Sequence, residues 1–531
     1  MTDTSSTKIP TGSDPSNVYN NGQARYRGTD DGGCMLAPTK DVADQALEAM
    51  GYKAELIRTR STLHVAFMSF VLASVPYGLA TMLAYPIIGG GPVAVIWGWL
   101  AVSAIIFCVA ASLAEITSVY PTAGGVYYQT FMLAPSRWRR VAAWVCGWFY
   151  TVGTISITLS VNFGTTLFFV SCINVFETES GVGIFNPPDW QLYLVFVGIT
   201  LLCTAVSSLG NRWLHILDTA AIFWTLAGVL AIIITVLVMA KGGRRSADFV
   251  FTHFESNSGW PDGWSFMVGL LHAAYATSST GMIISMCEEV KEPSTQVPKA
   301  MLATVCINTF AGLLFMIPLM FVLPDIQGLL SSSQPVPVII KAAVGSPGAS
   351  IALCLPLLVL GVICGIGCTT AASRCTWACA RDGAIPGSRL WMQVHPRLGV
   401  PLNAILLCTV VQIVLGLIWF GSTQAFNAFS GVGVITLTAA YASPIAISLF
   451  TGRKAVENAK FSLGRFGVFA NIIALAWSAL ALPLFCMPSA VPATPQTVNY
   501  APAVFLLATG VSAFWYFWRG RRTYSGPPTT D

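Results

Sequence analysis

Twelve long apolar segments, separated by short polar stretches, set the pattern of the chain. They centre near Val71, Ala104, Thr154, Val197, Leu230, Ala273, Leu313, Val359, Val411, Leu437, Leu475 and Leu506. About 20 mostly apolar residues of helix cross the hydrocarbon core of a bilayer. The pattern predicts an all-α polytopic membrane protein of twelve transmembrane helices over residues 61–520, called spans one to twelve below. Spans three and eight are long enough to tilt. Residues 1–60 are polar and rich in Ser, Thr, Gly and Asn, and are expected to form a disordered tail; residues 521–531 form a second, short tail.

Two spans are interrupted. Span one, "HVAFMSFVLASVPYGLATMLAYPIIGGGP", carries Ser74, Pro76 and Gly78 in its middle, and span six, "SFMVGLLHAAYATSSTGMIISMCEEV", carries the weak helix formers Thr277 to Gly281. Proline removes a backbone donor, and irregular backbone at membrane depth survives only where it is buried in protein or lines a cavity. A pair of such breaks, five spans apart, points to two inverted five-span repeats, about 61–241 and 262–450, with two extra helices over about 466–518. Ser74, Val75, Pro76 and Tyr77, together with Tyr275, Thr277, Ser278, Ser279, Thr280 and Gly281, are then the candidate solute-binding residues. A hydroxyl-lined packing seam is the alternative, because small residues also let helices approach closely.

Composition agrees with a chain set in lipid. Hydrophobic residues make up 54% and charged residues 10%, with a mean hydropathy of +0.67; soluble domains carry about 25% charged residues. The basic residues fall unevenly. With the amino terminus inside, the inner flanks hold Lys53, Arg58, Arg60, Arg137, Arg139, Arg140, Arg212, Arg374, Arg381, Arg453 and further Lys and Arg, whereas the outer loops hold only Lys241, Arg244, Arg245 and Lys341. This bias predicts that both termini are cytoplasmic. It places Glu288 and Glu289 where span six reaches the cytoplasm, so that a solvated loop stopped by Pro293 and Pro298 would account for their charge.

Ionisable residues within the apolar segments are candidates for function: His64, Glu115, Asp218 and His272. Histidine titrates near neutral pH, and His272 lies one turn before Tyr275. His272, Glu115 and His64 are therefore candidate proton carriers, with a neutral core histidine as the alternative for His272. Asp218 opens span five, where a carboxylate suits a helix N-terminus, and is read as structural. The five histidines are scattered, and Cys375 and Cys379 stand one helical turn apart with no histidine nearby. No metal, cofactor or catalytic constellation is expected, and no phosphate-binding loop for ATP occurs. The chain is read as no enzyme.

Three stretches carry a resemblance. "EITSVYPTAGGVYYQTFMLAP" (Glu115 to Pro135), "SMCEEVKEPSTQVPKA" (Ser285 to Ala300) and "RCTWACARDGAIPGSRLW" (Arg374 to Trp391) resemble the amino acid–polyamine–organocation superfamily. They are most similar to its amino acid/choline branch, common in fungi, over about residues 55–520. The resemblance implies the LeuT-like inverted repeat, with substrate between spans one, three, six and eight. It implies a plasma-membrane permease that imports a small nitrogenous solute by alternating access, with protons as the coupling ion. It also implies a cytoplasmic gate region holding Glu288, Glu289, Lys299, Arg381 and Asp382. Many relatives carry Asp in the span-six break and His before the Glu pair; here those places fall near Gly281 and Ser285. With no carboxylate in the break, an amino acid or GABA is expected before choline or a polyamine. Tyr77 and Tyr275 could form an aromatic cage for quaternary ammonium or simply pack. A non-transporting nutrient sensor on the same fold is the remaining alternative.

Overall fold

A backbone crossing lipid must satisfy its own hydrogen bonds, so each apolar segment folds as helix. The computed structural model describes residues 42–53, 55–56, 62–177, 183–210, 213–330, 332, 334–421, 425–494 and 498–528. Most of the expected tail, with Arg58 and Arg60, lies outside the described residues, as do Arg212 and the side chain of His64.

All twelve predicted centres fall within helices. Among the described residues, eleven helices are long and apolar enough to cross a membrane, from Ala84–Val119 to Ala501–Thr523. Span one is the exception to that length: it consists of two short helices, Thr62–Ala73 and Val75–Thr81. Spans three (Arg139–Ile173) and eight (Pro347–Arg381) are each 35 residues long. Large apolar side chains stand on the outer faces of the spans, among them Phe223, Val238, Phe310, Leu506 and Phe517. Such a continuous apolar exterior suits lipid and not water. The protein is an all-α polytopic membrane protein.

The packing repeats with a shift of five spans. Span one packs on span five and span six on span ten; span two on six and seven on one; span three on four and eight on nine; span three on ten and eight on five. Spans two and seven, three and eight, and four and nine pair with each other. Two five-span repeats would give this neighbour pattern, and because five is odd, the second would run opposite to the first. Hydroxyl and amide pairs tie the spans together inside: Ser160–Ser430 at 2.6 Å, Thr204–Thr409 and Ser207–Thr370 at 2.7 Å, and Asn162–Gln412 at 3.1 Å.

The tails need correction where they are described. Val42–Ala49 is helical within the stretch expected to be disordered, and Leu47, Tyr52 and, from the other tail, Tyr524 are buried. All three enter one cluster with Tyr127, Tyr128, Phe131 and Trp144. Both described ends of the chain therefore lie at the same end of the bundle, held by aromatic burial that local composition does not reveal.

Candidate functional site

Span one breaks at Ser74, whose φ of 39° is left-handed. A non-glycine residue rarely adopts that conformation. Its N–H still bonds Phe70 O at 2.8 Å, and its Oγ–H donates to Val71 O at 2.5 Å. Pro76 has no N–H to give to Leu72 O, four residues back. The Cys364 and Cys368 thiols of span eight approach that carbonyl instead, at 3.6 and 3.9 Å. Tyr77 faces span three: its hydroxyl donates to Val161 O at 3.0 Å and lies 2.8 Å from Thr165 Oγ1.

Span six is altered over a longer stretch than its composition predicts. The α-helix Leu271–Ser278 gives way to a 3-10 helix from Ser279 to Glu289, 11 residues long. Runs of 3-10 helix beyond three or four residues are uncommon, so this one depends on outside support. Tyr441 of span ten donates to Ser278 O at 3.0 Å, Tyr150 of span three to Gly281 O at 3.3 Å, and Ser285 Oγ to Ala371 O at 3.2 Å. The hydroxyls of Thr277, Ser278 and Thr280 turn back onto carbonyls three or four residues earlier.

The two breaks face each other across a small cavity lined by Leu72, Ala73, Tyr77, Gly78, Tyr275 and Ser279, with Cys364 and residues of span three. Ser74, Val75 and Pro76 are buried beside it without lining it. Thr277, Ser278, Thr280 and Gly281 lie on the other face of span six, on a second small cavity shared with spans two, ten and eleven. The structure thus brings Tyr77, Tyr275 and Ser279 together and places the remaining hydroxyls behind the broken helix. Among the described residues, no charged side chain lines either cavity.

A charged assembly lies at the end of the bundle that carries the tails. Glu288 and Glu289 are 2% and 4% exposed, so the solvated-loop reading of this pair is corrected. Arg381 binds both carboxylate oxygens of Glu288, at 3.1 and 3.2 Å, and Arg374 binds Glu289 at 2.8 Å. Paired charges tolerate burial because each supplies what water would. The Ala123 N–H also donates to Glu288, at 3.0 Å. Gly125, two residues on, has a φ of +55°, and a Cβ there would meet the Tyr150 ring at 3.1 Å. Asp382 accepts from the Tyr52 hydroxyl at 2.9 Å. Burial pushes Asp382 up to about 6, against the pull of Arg381. Lys299 is exposed and joins no ion pair among the described residues.

Arg374 was absent from the sequence-based candidates. An arginine within the apolar run "TTAASRCTWACA" is the signal that points to it, and it stands seven residues, two helical turns, before Arg381.

Of the proton-carrier candidates, Glu115 is buried and engaged. Arg453 meets both its oxygens at 2.7 Å, and the Leu463 N–H donates to it at 2.9 Å. Glu115→Gln should leave Arg453 without its anion and cost roughly 3 kcal/mol, read as a lower thermal-unfolding midpoint in detergent; an unchanged midpoint would remove this pair from the fold's supports. His272 is fully buried, with Nδ1 3.3 Å from Gly269 O and no hydrogen-bond partner for Nε2 among the described residues.

Sequence comparison places the chain among known proteins. The amino acid permease family model matches residues 61–509. A choline transporter of Saccharomyces cerevisiae is 29% identical over 492 residues, 92% of this chain and 86% of its own. An amino-acid permease BAT1 homolog of Oryza sativa subsp. japonica is 32% identical over 506 residues, 92% of this chain and 96% of its own. A polyamine transporter of Saccharomyces cerevisiae is 29% identical over 506 residues, 93% of this chain and 81% of its own. With a match that runs from span one into span twelve, the chain belongs to the amino acid permease family.

Proposed function

We propose that the protein is a secondary carrier that imports a small zwitterion, an amino acid or GABA, across the plasma membrane by alternating access, with protons as the coupling ion. The observation that carries this reading is the uncharged cavity between the two interrupted spans. A zwitterion brings its own counter-charge, so it does not strand a net charge among carbonyls, hydroxyls and rings. Its amine has carbonyls at the span-one break, where Leu72 O lacks a backbone donor. In this reading the tail-bearing end is cytoplasmic, and the Glu288–Arg381 and Glu289–Arg374 pairs form the inner gate. Parting them would free the 3-10 segment to swing.

Sodium finds poor ligands here. A hard cation wants several oxygens, and the broken-helix carbonyl of Leu72 is met by two thiols. His272, with one ring nitrogen unpartnered among the described residues, is the first candidate for the proton; Glu115 is already engaged by Arg453, and His64 stays a candidate by position alone. Choline or a polyamine is the second reading, favoured by the names of the yeast relatives and by the Tyr77 and Tyr275 rings.

The test is uptake into transporter-deficient cells of labelled GABA, a neutral amino acid, choline and putrescine at two pH values, in sodium or potassium medium. One zwitterion should enter, faster at the lower pH, equally in both media, and not after Ser279→Trp. Selective choline or putrescine uptake would overturn the substrate and keep the carrier. No uptake, by protein shown to reach the surface, would favour a sensor.

A further inference from the structure

The Arg381 guanidinium does not touch Glu288 alone. Its Cζ lies 3.7 Å from the centre of the Tyr52 ring and 4.5 Å from that of Trp377. Cation–π contacts of this kind are worth more as water is removed, and Arg381 is largely shielded, with 13% of its side chain exposed. The Tyr52 hydroxyl meanwhile holds Asp382, the next residue along, at 2.9 Å. One tyrosine from before span one thus grips two consecutive charged residues at the end of span eight.

The other tail reaches the same place. The Tyr524 hydroxyl donates to Tyr127 Oη at 3.0 Å, and the Tyr524 and Trp144 rings meet edge to face at 5.0 Å. The two tails also touch each other: a Cβ on Gly51 would lie 2.8 Å from Pro528 Cβ. Neither segment would be ordered by its own short length. Their order comes from covering the aromatic floor formed by Tyr127, Tyr128, Phe131 and Trp144.

We propose that residues 47–52 and 524–528 form a two-part latch over the inner gate, and that Tyr52 is a positioning residue that holds Arg381 on Glu288, so that the latch must release before the carrier opens to the cytoplasm. The proposal rests on the gate reading given above. It makes the tails a brake on turnover, set apart from the solute cavity.

Asp382 makes the latch sensitive to acid. It faces Tyr52, Tyr127, Arg381 and Glu288, with Tyr128 and Tyr524 beyond. Docked, it titrates near 6; released into water it would return toward the ordinary carboxylate value of about 3.9. Between those values the docked state binds more protons, so acid favours docking and a rise through 6 favours release.

Cys287, fully buried beside Glu288, is a native reporter that needs no substrate. Full-length protein in nanodiscs is treated with N-ethylmaleimide, and the rate of Cys287 modification is read by peptide mass spectrometry. Arg381→Ala, which opens the gate directly, should accelerate it. Tyr52→Ala and Tyr524→Ala should do so at least threefold, and Tyr52→Phe, which keeps the ring and loses the hydroxyl, by less. Taken relative to Asp382→Asn at each pH, which cancels the thiol's own titration, the wild-type rate should rise severalfold from pH 5 to pH 7. Wild-type rates in both tyrosine variants beside a fast Arg381→Ala would overturn the latch and leave the gate standing. A slow Arg381→Ala would overturn the gate reading beneath it.

Discussion

Arg374→Met is expected to yield little folded protein. The substitution keeps much of the side-chain volume and removes the guanidinium drawn against Glu289 at 2.8 Å, in a place where the arginine side chain is 0% and the glutamate side chain 6% exposed. Removing one partner of a buried pair costs about 3–5 kcal/mol, because the remaining charge keeps its desolvation penalty and loses its compensation. Native proteins have only about 5–15 kcal/mol to lose. Fluorescence-detected size-exclusion chromatography should show an aggregated or absent peak. The double variant Arg374→Met with Glu289→Gln should recover a monodisperse peak, because replacing both charges is often close to neutral, while the gate stays weakened. A single variant with the wild-type profile and thermal midpoint would show that Glu289 does not depend on Arg374, and would remove this pair from the supports of the fold and of the proposed gate.

Gly281→Val should leave the protein folded and at the membrane while reducing uptake by ten- to a hundredfold. Here the effect is steric. A Cβ at residue 281 would lie 2.6 Å from two ring carbons of Tyr441, so the ring must move and its bond to Ser278 O is lost. Overpacking of this kind costs about 1–3 kcal/mol, and each ~1.4 kcal/mol placed on the rate-limiting step is a factor of ten in rate. The cost falls on the 3-10 segment, which the gate reading makes the moving part. Gly281→Ala should act in the same direction and less strongly, and Tyr441→Leu should restore part of the uptake by making room. Normal uptake by surface-expressed Gly281→Val would show that the Tyr441 contact plays no part in the transport cycle.

The fold was largely legible because membrane insertion is a local property. An apolar run of sufficient length must become a helix, whatever lies next to it, and each of the twelve predicted centres does so. The breaks were legible for a related reason: a proline removes its own N–H, and Thr277 to Gly281 weaken a helix wherever it stands. What was not legible is the extent of the second break. The 3-10 helix runs to Glu289 because bonds from Tyr150, Tyr441 and the two arginines hold it, and those residues lie between 85 and 163 positions away from the groups they meet.

The same distance separates the readings of the acidic pair. Placed in sequence, Glu288 and Glu289 close an apolar run beside prolines, and a solvated loop suffices for them. Folded, they are buried, and the approach of Arg374 and Arg381 on span eight offsets much of the cost. Tyr52 and Asp382 are 330 positions apart, and nothing near Tyr52 announces a docking partner.

By itself, then, the sequence determined the number and order of the apolar segments, their all-helical form, the two interrupted spans and the absence of a carboxylate from the span-six break. Each follows from residues within one turn or one span of each other. The tertiary structure alone decided which face of span six lines the cavity between the two breaks, which carbonyls the tyrosines cap, which arginine serves which glutamate, and that both described tails return to the buried ion pairs. Those outcomes depend on burial and on pairing between distant segments, and neither exists until the helices have packed.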